Sequence, residues 1–515
     1  MSSEAASQQS STASGQELHR KRLFFASCMA LIATSVAFAV VGNVMNPLKA
    51  EFVLTNAEVG WIGGAALWGF SVSMIIFGPM CDKIGFKPIL IGAFIAHLIG
   101  PLLMIAATGF WMLFAGAWII AFGNGLVEAA TNPLVVALYP DNKTTRLNQF
   151  HVWFPGGIVL GGVAGWLLGQ AGVTAWEVQI ALVLIPTVIY GFLVIRETFP
   201  PTENVQAGIS IGEMFRATFS SPFMWLLLFC MALTASTELG PNRWIPAVLQ
   251  AGGIPGILVL VWISGLMAVL RYNAGTFVER FSPTGLLLGS AILSAGGLFW
   301  LSYAETTLMA FVSATVFAFG VCFFWPTMLG VTSERVPRSG ALGLGLMGGV
   351  GMLVVGVVTS PWMGSVADQR ANEVLPPEQT VTVLEQVNET FPGVTEQAPE
   401  DFQGYITRAT DATQTALAQY EDAGELPAPE TMNALRAVID AGTAVGATDS
   451  EQANDLISDA QQLLGPADNY GGRMSFRAIV PFTSLLIVIF AVLYYRDRKQ
   501  GGYKVEKITA EKEAQ

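Results

Sequence analysis

Charge is scarce in this chain. Charged residues fill 12% of its 515 positions and 52% are apolar, whereas a soluble domain carries about 25% charged residues. An ordinary soluble globule is therefore excluded. Cysteine and histidine are scarcer still, at 4 and 3. Cys28, Cys81, Cys230 and Cys322 stand singly, so neither a disulfide framework nor a metal-ligand spacing is present. P-loop, HExxH, GxSxG and heptad patterns are missing, which removes ATP-driven transport and the common hydrolases from the leading readings. No cofactor, metal, nucleic-acid partner or enzymatic activity is expected.

What the chain does have is long apolar runs. Segments of about 20 residues, the length that crosses a bilayer core, fall at 23–48, 58–80, 88–108, 110–138, 148–172 and 175–195. A second set falls at 221–248, 255–278, 284–303, 306–331, 339–364 and 474–495. The expected fold is all-α and integral to the membrane, with twelve spans in two six-helix halves, embedded in lipid and monomeric. The expected division is a tail at 1–22, a first bundle at 23–196, a linker at 197–220 and spans seven to eleven at 221–364. An insertion at 365–472, span twelve at 473–496 and a second tail at 497–515 follow.

Basic residues, among them Lys143, Arg146, Arg335, Arg338, Arg496 and Lys499, gather on the side of the termini and linker. By the positive-inside rule that side is expected in the cytoplasm, across a plasma membrane of the bacterial inner type. The insertion then lies outside. It holds 10 Glu and 8 Asp between Ala371 and Gly472 against Arg408 and Arg436, so the net charge of −12 belongs to this segment. Its Ala/Leu/Gln-rich stretches, broken by PP, PAPE and Gly, predict short helices. It holds no ligand constellation and reads as a solvated accessory.

The two sets of spans echo each other. GPMCDKIGFKP at Gly78 is matched 197 residues later by GTFVERFSP at Gly275, pairing Asp82 with Glu279 and Lys83 with Arg280. The same offset carries AFG at 121 onto AFG at 318 and Pro140 onto Pro337. Parallel repeats of this kind place a binding site near the bilayer midplane, between the halves. Span five carries Gly157, Gly161, Gly165 and Gly169 at every fourth position, a spacing that permits close helix packing.

Polar residues inside the spans mark the candidate site. In NGLVEAATNP, Asn124, Glu128 and Asn132 recur at i, i+4 and i+8, one polar stripe on span four. A carboxylate in hydrocarbon costs a few kcal/mol, so Glu128 reads as functional. It can exchange a proton as its exposure changes, because burial favours the neutral acid. Span seven contains LTASTELGPNRWIP, with Glu238 ahead of a helix break expected at Gly240 and Pro241, then Arg243 and Trp244. Arg243 could pair with Glu238, with Glu128 or with a substrate anion, while Arg271 reads as structural. His151 is either a packing residue or a proton relay. Trp153, Trp244 and Trp325 offer flat faces on which a sugar ring could stack.

The Gly78 loop resembles the signature between the second and third spans of the major facilitator superfamily: Gly78, three residues, Asp82, Lys83, one residue, Gly85, then Lys87. FVLTNAEVGWI, NGLVEAATNPLVVALYP and FFWPTMLG further resemble its fucose/galactose/hexose:proton symporter branch, over most of the twelve spans. The resemblance implies that Gly78, Asp82, Lys83, Gly85 and Lys87, echoed by Glu279 and Arg280, form a conformational latch. It also implies that Glu128 takes part in proton coupling and sugar recognition. The branch's first-span carboxylate aligns with Asn43, its span-five sugar contacts with His151 and Phe154, and a span-seven Gln with Glu238. The function expected is secondary active transport, the proton-coupled import of a sugar-like small molecule by alternating access. Glu128 and Glu238 would carry protons, and Asn43, Asn124, Asn132, His151, Trp153, Arg243, Trp244 and Trp325 would line the site. An efflux antiporter for lipophilic or anionic compounds, or a membrane sensor that transports nothing, are the alternatives.

Overall fold

In a computed structural model, residues 3–508 are described, except 53, 55 and 174. Among the described residues eleven helices are long and apolar enough to cross a membrane, and a bent pair supplies the twelfth span. Spans one to six are His19–Asn43, Glu58–Ile84, Phe86–Ile105, Phe110–Leu138, Lys143–Gln170 and Trp176–Arg196. Span seven is Pro222–Ala251, and span eight is Gly256–Tyr272 followed, after a 65° bend, by Ala274–Phe281. Spans nine to twelve are Pro283–Leu301, Thr307–Arg335, Pro337–Asn372 and Glu451–Lys499. No strand occurs among the described residues.

Local chemistry sets where the helices begin and turn. The Ser221 hydroxyl accepts from the Met224 N–H just before Pro222, the first-turn position where a missing N–H costs nothing. The linker helix Ile211–Phe219 opens with a reciprocal Ser210–Glu213 capping box. Gly85, at φ +79°, allows the tight turn from span two to span three.

Small residues then bring the helices together. A Cβ on Gly157 would lie 1.8 Å from the Ser35 hydroxyl, and one on Gly161 would lie 2.9 Å from the Ala39 methyl. Gly157 and Gly161 thus seat span five against span one, in a medium where close packing replaces the hydrophobic drive between helices, while Gly169 faces open space.

Span seven corrects one expectation. It is a single helix through Gly240, Pro241 and Pro246. An internal proline removes one ladder hydrogen bond, and hydroxyls nearby re-satisfy backbone groups in membrane helices. Separately, the hydroxyls of Ser236 and Thr237 are satisfied within the helix, donating back to the carbonyls of Ala232 and Leu233 at 2.7 and 2.8 Å.

The acidic segment folds as helices Pro377–Val394, Glu400–Ala423 and Ala428–Asp440. They bury their own core, including Leu384, Phe391, Ile406, Leu435 and Val438, against the end of span eleven and the first turns of span twelve. Its last helix is span twelve itself, one continuous helix of 49 residues. This side of the bundle is called the insertion end and the opposite side the terminal end.

Candidate functional site

Two spans are interrupted at the centre, each by a proline. Span five changes from the helix Lys143–Phe150 to Trp153–Gln170, and span ten from Thr307–Val321 to Phe324–Arg335. Pro155 has no N–H to offer residue 151, and Pro326 none to offer residue 322, so the carbonyls of His151 and Cys322 lose their helical donors. Arg271 takes both. Its Nη1 donates to the His151 carbonyl at 3.1 Å and its Nε to the Cys322 carbonyl. A third freed carbonyl, that of Ala129 behind Pro133, accepts from the Cys81 thiol at 3.3 Å.

Arg271 also donates through Nη2 to Glu238 Oε1 at 2.9 Å, and both side chains are buried. On the other side of the centre, Asn132 Nδ2 donates to Glu128 Oε2 at 2.9 Å. The Asn132 side-chain oxygen Oδ1 accepts from His151 Nε2 at 3.0 Å, an arrangement that puts the imidazole proton on Nε2. Glu128, Asn132, His151, Arg271 and Glu238 therefore form one hydrogen-bonded chain. It starts in the first half, crosses to the second at the His151 carbonyl, and joins two carboxylates that hydrocarbon alone would not tolerate.

The acids share a small cavity with Phe70, Phe154, Leu239, Arg271, Trp325 and Met352. Glu238 Oε2 and Trp325 Nε1 are both buried and close no hydrogen bond of normal geometry, although the indole faces the Glu128 carboxylate. The repeat explains the pairing across this space. The offset of 197 carries position 128 onto 325, so Glu128 and Trp325 are counterparts in the two halves. It also carries Met74 onto Arg271 and His151 onto Gly348. Met74 packs over Gly348 as Arg271 bonds His151.

Several expected site residues lie elsewhere. Asn124 leaves the stripe: successive i+4 steps drift by about 40° around a helix, and its Oδ1 bonds His97 Nε2 at 2.8 Å inside the first half. The His97 ring is completed by Tyr190 at 3.0 Å on Nδ1. Trp153 is exposed at 37%, and Phe154 lines the cavity in its place. Trp244 packs against Gly364 of span eleven. Asn43 and Arg243 are exposed toward the insertion end, and Arg271, not Arg243, is the cation bonded to Glu238.

The halves meet toward the terminal end. Asn148 Nδ2 donates to Thr327 Oγ1 at 3.2 Å. The N–H and hydroxyl of Thr144, at the start of a helix whose first N–H groups need acceptors, donate to Glu334 at 3.1 and 2.8 Å. Gly78 meets Gly345 so closely that a Cβ on either would lie 3.0 Å from the other's Cα. Asp82 reaches span eleven through the linker, since Asn204 Nδ2 contacts Asp82 Oδ2 at 3.5 Å and the Arg338 carbonyl at 3.2 Å. Lys87 donates to the carbonyls of Ile195 and Glu197 at 2.8 and 3.0 Å. Lys83, Glu279 and Arg280 are exposed. Arg271, Glu334 and Asn148 are central residues that the sequence reading missed, although Arg271 met the same criterion of intramembrane charge as Glu128.

The sequence signature of the Major Facilitator Superfamily matches residues 23–360. The gentisate transporter of Corynebacterium glutamicum is 23% identical over 280 residues, covering 50% of this chain and 60% of the relative. A probable sugar efflux transporter of Haemophilus influenzae is 23% identical over 317 residues, covering 59% of this chain and 76% of that one. The fold matches that of the superfamily transporter FucP in its outward conformation, with a TM-score of 0.53 and 18% identity over 66% of this chain and 92% of that chain. The chain thus spans less than two thirds of the gentisate transporter's length. With twelve spans in two halves and a charged centre between them, it belongs to the Major Facilitator Superfamily and is a multi-pass membrane protein.

Proposed function

We propose that this protein imports a sugar or sugar-like solute together with protons, by alternating access, with its terminal end in the cytoplasm. The orientation rests on the basic residues gathered at that end. In this reading the described state is outward-facing, closed by the contacts around Gly78, Thr144 and Asn148.

The observation that carries the proposal is the bonded chain between Glu128 and Glu238. Glu238 is held by a guanidinium at 2.9 Å, while the closest histidine nitrogen to Glu128 stands 4.0 Å away. Glu128 is therefore the acid freer to exchange its proton, and Glu238 the one whose charge Arg271 reads. Neutralising either changes the chain that crosses between the halves, which is how proton binding would bias one conformation over the other. A solute hydroxyl, donor and acceptor at once, suits Trp325 Nε1 and Glu238 Oε2. Phe70, Phe154 and Trp325 give the apolar faces that a sugar ring stacks on.

Proteoliposomes with an imposed pH gradient test this against a panel of hexoses, pentoses, uronates and aromatic carboxylates. Accumulation of a neutral sugar that an uncoupler abolishes supports it. Saturable transport of carboxylates alone would overturn it and favour export or exchange of organic anions. That second reading is supported by the exposed cation of Arg243 toward the insertion end and by the gentisate relative.

A further inference from the structure

The acidic insertion touches both halves. Its attachment to the second half is stiff. Arg436 Nη2 donates to Asp368 in span eleven and to Asp468 in span twelve, at 2.8 Å each. Asn469 Nδ2 donates to the Val248 carbonyl of span seven at 2.8 Å. Span twelve continues into the insertion without a break, so no flexible joint separates the two.

Its contact with the first half includes two bonds to one residue. Lys49 Nζ pairs with Asp440 at 2.6 Å, with side chains only 16% and 29% exposed. Tyr405 donates its hydroxyl to the Lys49 carbonyl at 3.0 Å. Lys49 lies in the last turn of the helix Met45–Glu51, and its carbonyl, which accepts from the Leu54 N–H at 3.0 Å, uses its second lone pair for the Tyr405 hydroxyl. Two bonds to one residue fix its position as well as its charge. Glu51, two residues on, accepts from Trp176 Nε1 of span six at 2.6 Å, which ties this helix to the body of the first half.

We propose that the insertion is an outer latch: carried rigidly by the second half and bonded to the first at Lys49, it favours the outward-facing state. Alternating access changes the separation of the outer ends of the halves, and contacts of 2.6 and 3.0 Å do not survive a displacement of a few ångströms. The bonds exist in the state described and break as the outer mouth closes, so they weigh on one side of the equilibrium only. The latch rests on the alternating-access reading, and on neither proton coupling nor the identity of the solute.

Paired spin labels at exposed Gln170 and Gln250, one in each half at the outer end, read the opening of the mouth with no solute or gradient present. The native cysteines are buried and leave introduced ones to be labelled. Lys49→Ala and Asp440→Asn are each expected to raise the ratio of short-distance to long-distance populations at least about fivefold, the low end of typical coupling. The charge-reversed pair Lys49→Asp with Asp440→Lys is expected to restore the native distribution, and Tyr405→Phe to shift it in the same direction by less. An unchanged distribution in both single variants, or a shift that charge reversal leaves in place, overturns the latch. A misfolded single variant leaves the test with Tyr405→Phe, where no shift has the same meaning. Uptake without proton coupling would defeat the proposed function and leave these distances as predicted.

Discussion

Arg271 of the second half donates to the backbone carbonyl of His151 in the first, at 3.1 Å across the boundary between the two bundles. The contact exists because Pro155 leaves that carbonyl without its helical donor, and the same guanidinium holds the carbonyl left by Pro326. One buried cation thus ties together two helix interruptions and the carboxylate of Glu238. Anything that changes the charge of Glu238 is felt at the joint between the halves.

Arg271→Met removes the only one of these partners that carries positive charge and strands Glu238 in the interior. Breaking a buried pair in this way costs about 3–5 kcal/mol. The variant is expected to have a lowered Tm and no gradient-driven uptake. Arg271→Met combined with Glu238→Gln should recover most of the Tm without recovering uptake. A double variant as unstable as the single one would show that Arg271 acts through the carbonyls and not through the acid.

The latch at the terminal end depends on two glycines. A Cβ on Gly78 would lie 3.0 Å from the Gly345 Cα and 3.1 Å from the Ala341 carbonyl oxygen, both backbone atoms that cannot rotate aside. Gly78→Val is expected to pry that end apart and raise the accessibility of cysteines introduced at positions 145 and 341 to a membrane-impermeant thiol reagent. The native degree of protection in the variant would contradict the packing.

Much of this architecture was legible in the sequence. Twelve apolar runs and a repeat at 197 residues led to the fold observed, and an acid in span four pointed to Glu128 as a candidate, which lines the central cavity. The site was only half read, for two physical reasons. Gly240 and Pro241 looked like the helix break, but a proline frees the carbonyl four residues earlier, and the breaks that matter lie ahead of Pro155 and Pro326. Arg271 read as structural because the groups it bonds, the carbonyls of Cys322 and His151 and the acid of Glu238, lie 51, 120 and 33 residues away in the chain, beyond any local pattern. Asn124 failed differently: helical drift turned it to His97, a partner 27 residues away that no local pattern announces.

The tail after span twelve adds a pH-resistant contact. Tyr503 donates to Glu334 Oε2 at 2.8 Å and lies under the Arg335 guanidinium. Burial first, then the charge of Glu334, pushes the phenol well above its ordinary value. Since the folded state holds this proton more tightly than the unfolded one, the stabilisation is complete below about pH 10 and is lost only as pH rises beyond it. Phenolate absorbance is expected to be the same for wild type and Tyr503→Phe while the protein stays folded up to that pH. A difference appearing below pH 9 would place Tyr503 in water.

Glu128 carries the central claim, and its neutral isostere separates coupling from binding. In proteoliposomes loaded with the identified solute, Glu128→Gln is expected to retain counterflow exchange within about threefold of wild type, because Gln still accepts from Asn132. The same variant is expected to lose accumulation driven by an imposed pH gradient. Gradient-driven accumulation equal to wild type in Glu128→Gln would contradict the account.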